Sequence, residues 1–118
     1  MRTIIAGSRD VDDYQHLLET IKESEFEITT VISGGARGVD LLGERYAKEN
    51  NIPLEVFPAE WDEYGKSAGY IRNLQMANSA EALIAICKDM SSGTMNMIKI
   101  AQEKKLKVFS KCNDIYFS

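Results

Sequence analysis

A single histidine, two cysteines and no surplus of basic residues narrow the chemistry of this 118-residue chain before any motif is read. The histidine, His16, falls within a helical pattern far from any strand end, so it reads as a helix-face residue rather than a catalyst. The cysteines, Cys87 and Cys112, lie far apart and have no metal-type spacing, so no metal site is expected. Two reduced thiols in a cytoplasmic protein are the expectation they support. Fourteen basic residues against 18 acidic ones leave a net charge of -4, which argues against a broad nucleic-acid surface. Nucleic acid is therefore not expected as a partner. The nearest approach to a basic cluster is Lys104, Lys105 and Lys107, with Lys111 beyond. It reads as a helix C-terminus, where the helix dipole favours cations. No apolar run approaches the roughly 18 residues of a membrane span, and the N-terminus lacks the pattern of a signal peptide. No linker, repeat or low-complexity stretch interrupts the chain, so residues 1–118 are expected to form one domain.

What the sequence does contain is an alternation of strand-like and helix-like segments. Strands are expected at Arg2 to Ala6, Thr29 to Ile32, Leu54 to Phe57, Ala82 to Ile86 and Lys107 to Ser110. Between them, Tyr14, Leu17, Leu18 and Ile21 share one helical face, as do Val39, Leu42, Tyr46 and Ala47. Two more helices are expected at about Ala68 to Asn78 and Thr94 to Lys104. Ala59 to Lys66 is the least regular stretch, and Ile115, Tyr116 and Phe117 could add an edge strand. Met76, Met90, Met95 and Met97 read as core filler. The alternation predicts a Rossmann-like, three-layer α/β/α domain with a mostly parallel sheet and helices on both faces.

In such sheets ligands bind beyond the carboxyl ends of the strands, where the strand order reverses. Three loops place unusual residues there: Gly7-Ser8-Arg9-Asp10, then Ser33-Gly34-Gly35-Ala36-Arg37-Gly38-Val39-Asp40, then Ser91-Ser92-Gly93-Thr94. Each leads towards a helix start, where backbone N–H groups and the helix dipole favour an anion. Glycine permits the tight turns and the close approach of a phosphate to the backbone. Arg9 and Arg37 can grip phosphate oxygens, and Asp40 can accept from a ribose hydroxyl or cap its helix. Gly34 to Asp40 lacks the spacing of a dinucleotide fingerprint, and within these three loops no lysine follows a glycine as in a P-loop.

A further informative stretch runs from Trp61 to Asn73. Trp61 or Tyr64 can stack on a base, Lys66 adds a cation, and Arg72 with Asn73 can hold phosphate or base edges. The candidate binding set is thus Gly7, Ser8, Arg9, Gly34, Gly35, Ala36, Arg37, Gly38, Asp40, Trp61, Lys66, Arg72, Asn73, Ser92, Gly93 and Thr94.

Taken in order along the chain, these motifs resemble the SLOG superfamily, and within it the YspA-like branch. The carriers are Gly7-Ser8-Arg9, Gly34 to Asp40, Pro58-Ala59 with Trp61, Gly65-Lys66, Ala68-Gly69, Arg72-Asn73 through Met76, and Gly93-Thr94. The resemblance implies a cytoplasmic Rossmann-like domain that binds nucleotides or nucleotide-derived signals, in some members within bacterial or phage conflict systems. By the same analogy a homo-oligomer, dimer or tetramer, is expected. The superfamily also contains the LOG-type phosphoribohydrolases, which carry Pro-Gly-Gly-x-Gly-Thr-x-x-Glu and an arginine on the preceding helix. Arg72 and Gly93-Thr94 match that pattern. Met97 occupies the position of the catalytic glutamate, and Asp89-Met90-Ser91-Ser92 replaces the upstream Pro-Gly-Gly. A thioether cannot do the work of a carboxylate, so binding is expected rather than cleavage, with no cofactor and no assigned catalytic residue. N-glycosidic hydrolysis is the alternative, with Asp40, Glu60 or Asp62 supplying the carboxylate.

Overall fold

The computed structural model describes residues 1–88 and 92–112. Five strands form one sheet: β1 (Arg2–Gly7), β2 (Thr30–Ser33), β3 (Leu54–Val56), β4 (Ala82–Cys87) and β5 (Lys107–Cys112). They lie in the order β3-β2-β1-β4-β5, and every pairing is parallel. The helices are α1 (Tyr14–Ser24), α2 (Val39–Glu49), α3 (Trp61–Tyr64), α4 (Ala68–Ser79) and α5 (Ser92–Glu103). This is the expected Rossmann-like architecture. The stretch read as irregular holds the short α3 and a 3-10 turn over Gly65–Ser67. Ser92 and Gly93, read as the end of a loop, form the first turn of α5. Asp89, Met90, Ser91 and the run at residues 115–117 lie outside the described residues.

The continuous apolar runs of the central strands follow from burial on both faces. Alternate side chains point to opposite sides of the sheet. Ile4, Ala6, Ile32, Leu83 and Ala85 therefore meet Met76 and Ala77 of α4 with Met97 and Ala101 of α5. On the other face Ile5, Val31, Ile84 and Ile86 pack against Leu17 and Ile21 of α1 and Val39 and Ala47 of α2. Met76 and Met97 are core residues, as expected, while Met95 is half-buried. Asp13 caps α1 through the His16 backbone N–H, which sets His16 on that helix and outside the cleft described below. No described helix is long and apolar enough to cross a membrane.

The cysteines correct the sequence reading. Cys87 and Cys112 are register partners at the ends of β4 and β5 and are joined as a disulfide. Their separation of 25 residues is one strand–helix–strand crossover, which returns the chain to the neighbouring position. The expectation of free thiols is overturned, and the cysteines no longer argue for the cytoplasm. Closing a loop of that length is worth about 3.5 kcal/mol in the chain-entropy treatment. Urea unfolding with and without a reductant should differ by about that amount, and equal midpoints would show the bridge to be energetically silent.

Candidate functional site

The chain builds β1, β2 and β3 outward in one direction, then returns to place β4 on the other side of β1. The strand order therefore reverses between β1 and β4, and the crevice beyond their carboxyl ends is where such sheets bind ligands. A cavity of about 420 Å³ occupies that place. Ala6 and Gly7 of β1 form its floor, and Ser92, Gly93, Thr94 and Met97 contribute one wall from α5. A second wall comes from Lys66 in the 3-10 turn and from Gly69, Tyr70, Asn73 and Met76 of α4, which recur at three- and four-residue intervals. Arg9, Ala36, Asp40, Trp61 and Arg72 complete the lining.

Arg72 is the most constrained cation here. Its Nη1 donates to the Gly34 carbonyl at 2.6 Å, and its Nε donates to Asn73 Oδ1 at 3.1 Å. Asn73 in turn donates through Nδ2 to Asn96 Oδ1 at 3.0 Å and to the Gly93 carbonyl at 3.3 Å, tying α4 to the start of α5. A guanidinium has five N–H donors, so these two bonds fix its plane and leave others for a ligand. Burial lowers the Arg72 pKa, the Asp40 carboxylate opposes that, and the like charge of Arg9 lowers it further. Arg9 and Arg72 thus bring like charge to the lining of one cavity, which favours an anion there.

The glycine loop after β2 supports this cation. A Cβ on Gly34 would lie 2.5 Å from Arg72 Nη1 and 2.8 Å from Asp40 Oδ2, so both groups close over that backbone position. The loop is also bonded to itself. The Gly35 N–H donates to Ser33 Oγ at 3.0 Å and the Ala36 N–H to Asp40 Oδ2 at 3.3 Å. Both N–H groups are thus bonded within the loop. Ser8 is likewise structural: it is buried, and its Oγ accepts from the Lys88 N–H at 2.9 Å. Gly38 precedes α2 without a side-chain cap, and the Val39 N–H is taken by the Ser8 carbonyl at 3.2 Å.

Asp40 is buried at 5% exposure, and burial pushes its pKa up to about 6 from 3.8, against the pull of the Ala36 N–H and of Arg72. A folded pKa above the unfolded one means that the folded chain holds this proton more tightly. Asp40 therefore costs stability progressively as pH rises from 3.8 to about 6, and the full cost persists above that. Asp40→Asn keeps an acceptor for Ala36 and removes the charge. It should stabilise the protein by at most about 3 kcal/mol at pH 7.5, with the gain gone near pH 4. Urea unfolding of both proteins at the two pH values checks this, and a gain independent of pH would contradict it.

Of the expected aromatics, Trp61 lines the cavity and Tyr64 does not; Tyr70, not singled out from the sequence, lines it too. Glu60 and Asp62 are absent from the lining, which among the described residues leaves Asp40 as its carboxylate. Gly34, Gly35 and Arg37 border a second, adjoining cavity of about 590 Å³.

The parallel sheet, with a cation-lined crevice at its switch point, defines a Rossmann-like domain. Residues 1–64 match the YspA, cpYpsA-related SLOG family, and the chain belongs to that family. It is 30% identical over 119 residues to the Gene 61 protein of Mycobacterium phage D29, covering 92% of this chain and 94% of that one. Its fold is similar to that of DNA processing protein A from Streptococcus pneumoniae, with a TM-score of 0.75 at 21% identity. The match covers 92% of this chain and 49% of the streptococcal one, so the chain spans about half the length of that protein.

The similarity to a DNA-processing protein overturns the expectation that nucleic acid is not a partner. The physical reason lies in how charge is distributed. A net charge is a sum over 118 residues, whereas binding is local, and Arg9, Lys66 and Arg72 face one cavity opposed by Asp40.

Proposed function

We propose that the crevice binds a nucleotide unit, gripping its phosphate between Arg9 and Arg72 and covering its base with Trp61 or Tyr70. The observation that carries this reading is Arg72, a partly buried cation held in plane by Gly34 and Asn73 and facing a second arginine. Such a guanidinium is oriented before a ligand arrives, so little entropy is lost when it grips phosphate oxygens. Lys66 adds a mobile point charge at the rim. The family and the DNA-processing relative support a nucleotide, free or within a strand, as the ligand class.

Hydrolysis of an N-glycosidic bond is the second reading, and Asp40 favours it. A carboxyl group with a pKa near 6 inside the cavity has the protonation range that acid–base chemistry requires. Met97 disfavours it, because it lines the cavity where the LOG-type enzymes have glutamate.

One experiment separates the two. The protein is mixed with adenine and guanine mononucleotides, NAD, ADP-ribose and cyclic dinucleotides, then filtered. The retained protein is heat-denatured, and both fractions are analysed by liquid chromatography and mass spectrometry. A compound depleted from the filtrate and recovered intact from the protein is the expected result. Recovery as free base and sugar phosphate would replace the binding reading with the hydrolytic one.

A further inference from the structure

The second cavity is contiguous with the first. Its wall shares Arg9, Ala36, Trp61 and Arg72 with the crevice, so the cations expected to hold a phosphate stand between two chambers rather than at the end of one. Each chamber, at about 420 and 590 Å³, falls within the range of roughly 300–1,000 Å³ typical of small-ligand sites. Their linings differ. The first carries the polar set of Asp40, Lys66, Asn73 and Thr94. The second presents Val56, Pro58 and Ala59, two glycines without side chains, and the cation Arg37. Val56 is 45% exposed although apolar, at the end of the edge strand β3, where it is available to a ligand. Trp61, 54% exposed, borders both chambers. Among the described residues the linings hold four cations, Arg9, Arg37, Lys66 and Arg72, and one carboxylate, Asp40, on a chain whose net charge is -4.

We infer that the site takes two nucleoside units joined through phosphate, with the linking phosphate at Arg9 and Arg72 and the second unit over Val56, Pro58 and Ala59. This rests on the reading of the crevice as a nucleotide site and adds what lies beyond the phosphate. A mononucleotide fills one chamber and leaves Arg37 and the apolar surface of Val56 without a partner. A linked pair occupies both, stacks against an exposed aromatic and places its phosphate against both shared arginines. The same chemistry is offered by a free dinucleotide and by two consecutive residues of a single strand.

The test compares, by calorimetric titration, deoxymononucleotides of each base with the matching 5′-phosphorylated deoxydinucleotides and octanucleotides. At least one dinucleotide should bind about tenfold more tightly than its mononucleotide, the scale of one further hydrogen bond to a charged group. Val56→Asp places a negative charge in the second chamber alone. It should remove that advantage; any weakening through the shared arginines falls on both ligands, so the ratio of dinucleotide to mononucleotide affinity is the readout and should fall to about one. Ala59→Asp serves the same purpose should the first variant fold poorly. An octanucleotide bound more tightly than the dinucleotide would identify a strand running through both chambers, and one bound more weakly a free dinucleotide. Equal affinity for mono- and dinucleotides, or a dinucleotide advantage that survives both variants, overturns the second subsite while the nucleotide reading stands. Failure of every mono-, di- and octanucleotide to bind removes the nucleotide reading, and the subsite with it.

Discussion

Gly7→Ala is expected to destabilise the protein by at least about 3 kcal/mol, the upper range of core overpacking, or to prevent folding. The cause is a close approach. Gly7 is the last residue of β1 and pairs with Ile86 of β4, and a Cβ there would lie 1.9 Å from the Ile86 carbonyl oxygen. It would also meet Val39 Cγ2 at 2.8 Å. Backbone cannot swing aside as a flexible side chain can, so the two central strands would have to separate at the switch point. That separation would also strain the Ser8 N–H bond to the same carbonyl, 3.0 Å long, and the floor of the crevice. Chemical denaturation compared with wild type checks the expectation. A loss below about 1 kcal/mol, the size of an ordinary surface change, would mean that the strands yield more easily than their pairing suggests.

That contact shows what sequence can and cannot convey. Glycine after a strand identifies Gly7 as a turn or close approach, and the alternation of elements identifies the sheet. Neither says which carbonyl is approached, because Ile86 arrives through the strand order. The same limit explains the disulfide: Cys87 and Cys112 look unrelated until β5 is laid beside β4 in register. It also explains the glycine loop after β2. Its composition reads as a phosphate cradle, yet Ser33 and Asp40 take the Gly35 and Ala36 N–H groups, and its Gly34 carbonyl holds an arginine 38 residues away. Tyr70 was within reach. Placed with Lys66, Asn73 and Met76 at helical intervals, it falls on the stripe that lines the cavity. The exclusion of nucleic acid failed differently, through treating a whole-chain charge as if it described the surface at the cleft.

Arg72→Ala should weaken nucleotide binding by about 1.5–3 kcal/mol, roughly ten- to 150-fold, as expected for a lost hydrogen bond to a charged group. The variant acts in two ways that can be told apart. It removes a cation from the cavity, and it frees the Gly34 carbonyl and Asn73 Oδ1 from the guanidinium that bridges them. Arg72→Lys restores the first and not the second. A lysine carries one compact charge and cannot satisfy Gly34, Asn73 and a phosphate from a planar fork. Lysine should therefore recover only part of the affinity if geometry matters, and nearly all of it if charge alone does. The loss of the arginine also leaves Asp40 without the cation that lowers its pKa, so the carboxyl should titrate at still higher pH in the alanine variant. Titration of both variants with the same nucleotide, beside thermal unfolding to establish that each is folded, separates these terms. Unchanged affinity in a folded Arg72→Ala protein would remove Arg72 from the site, and with it the reason for placing the phosphate between two arginines.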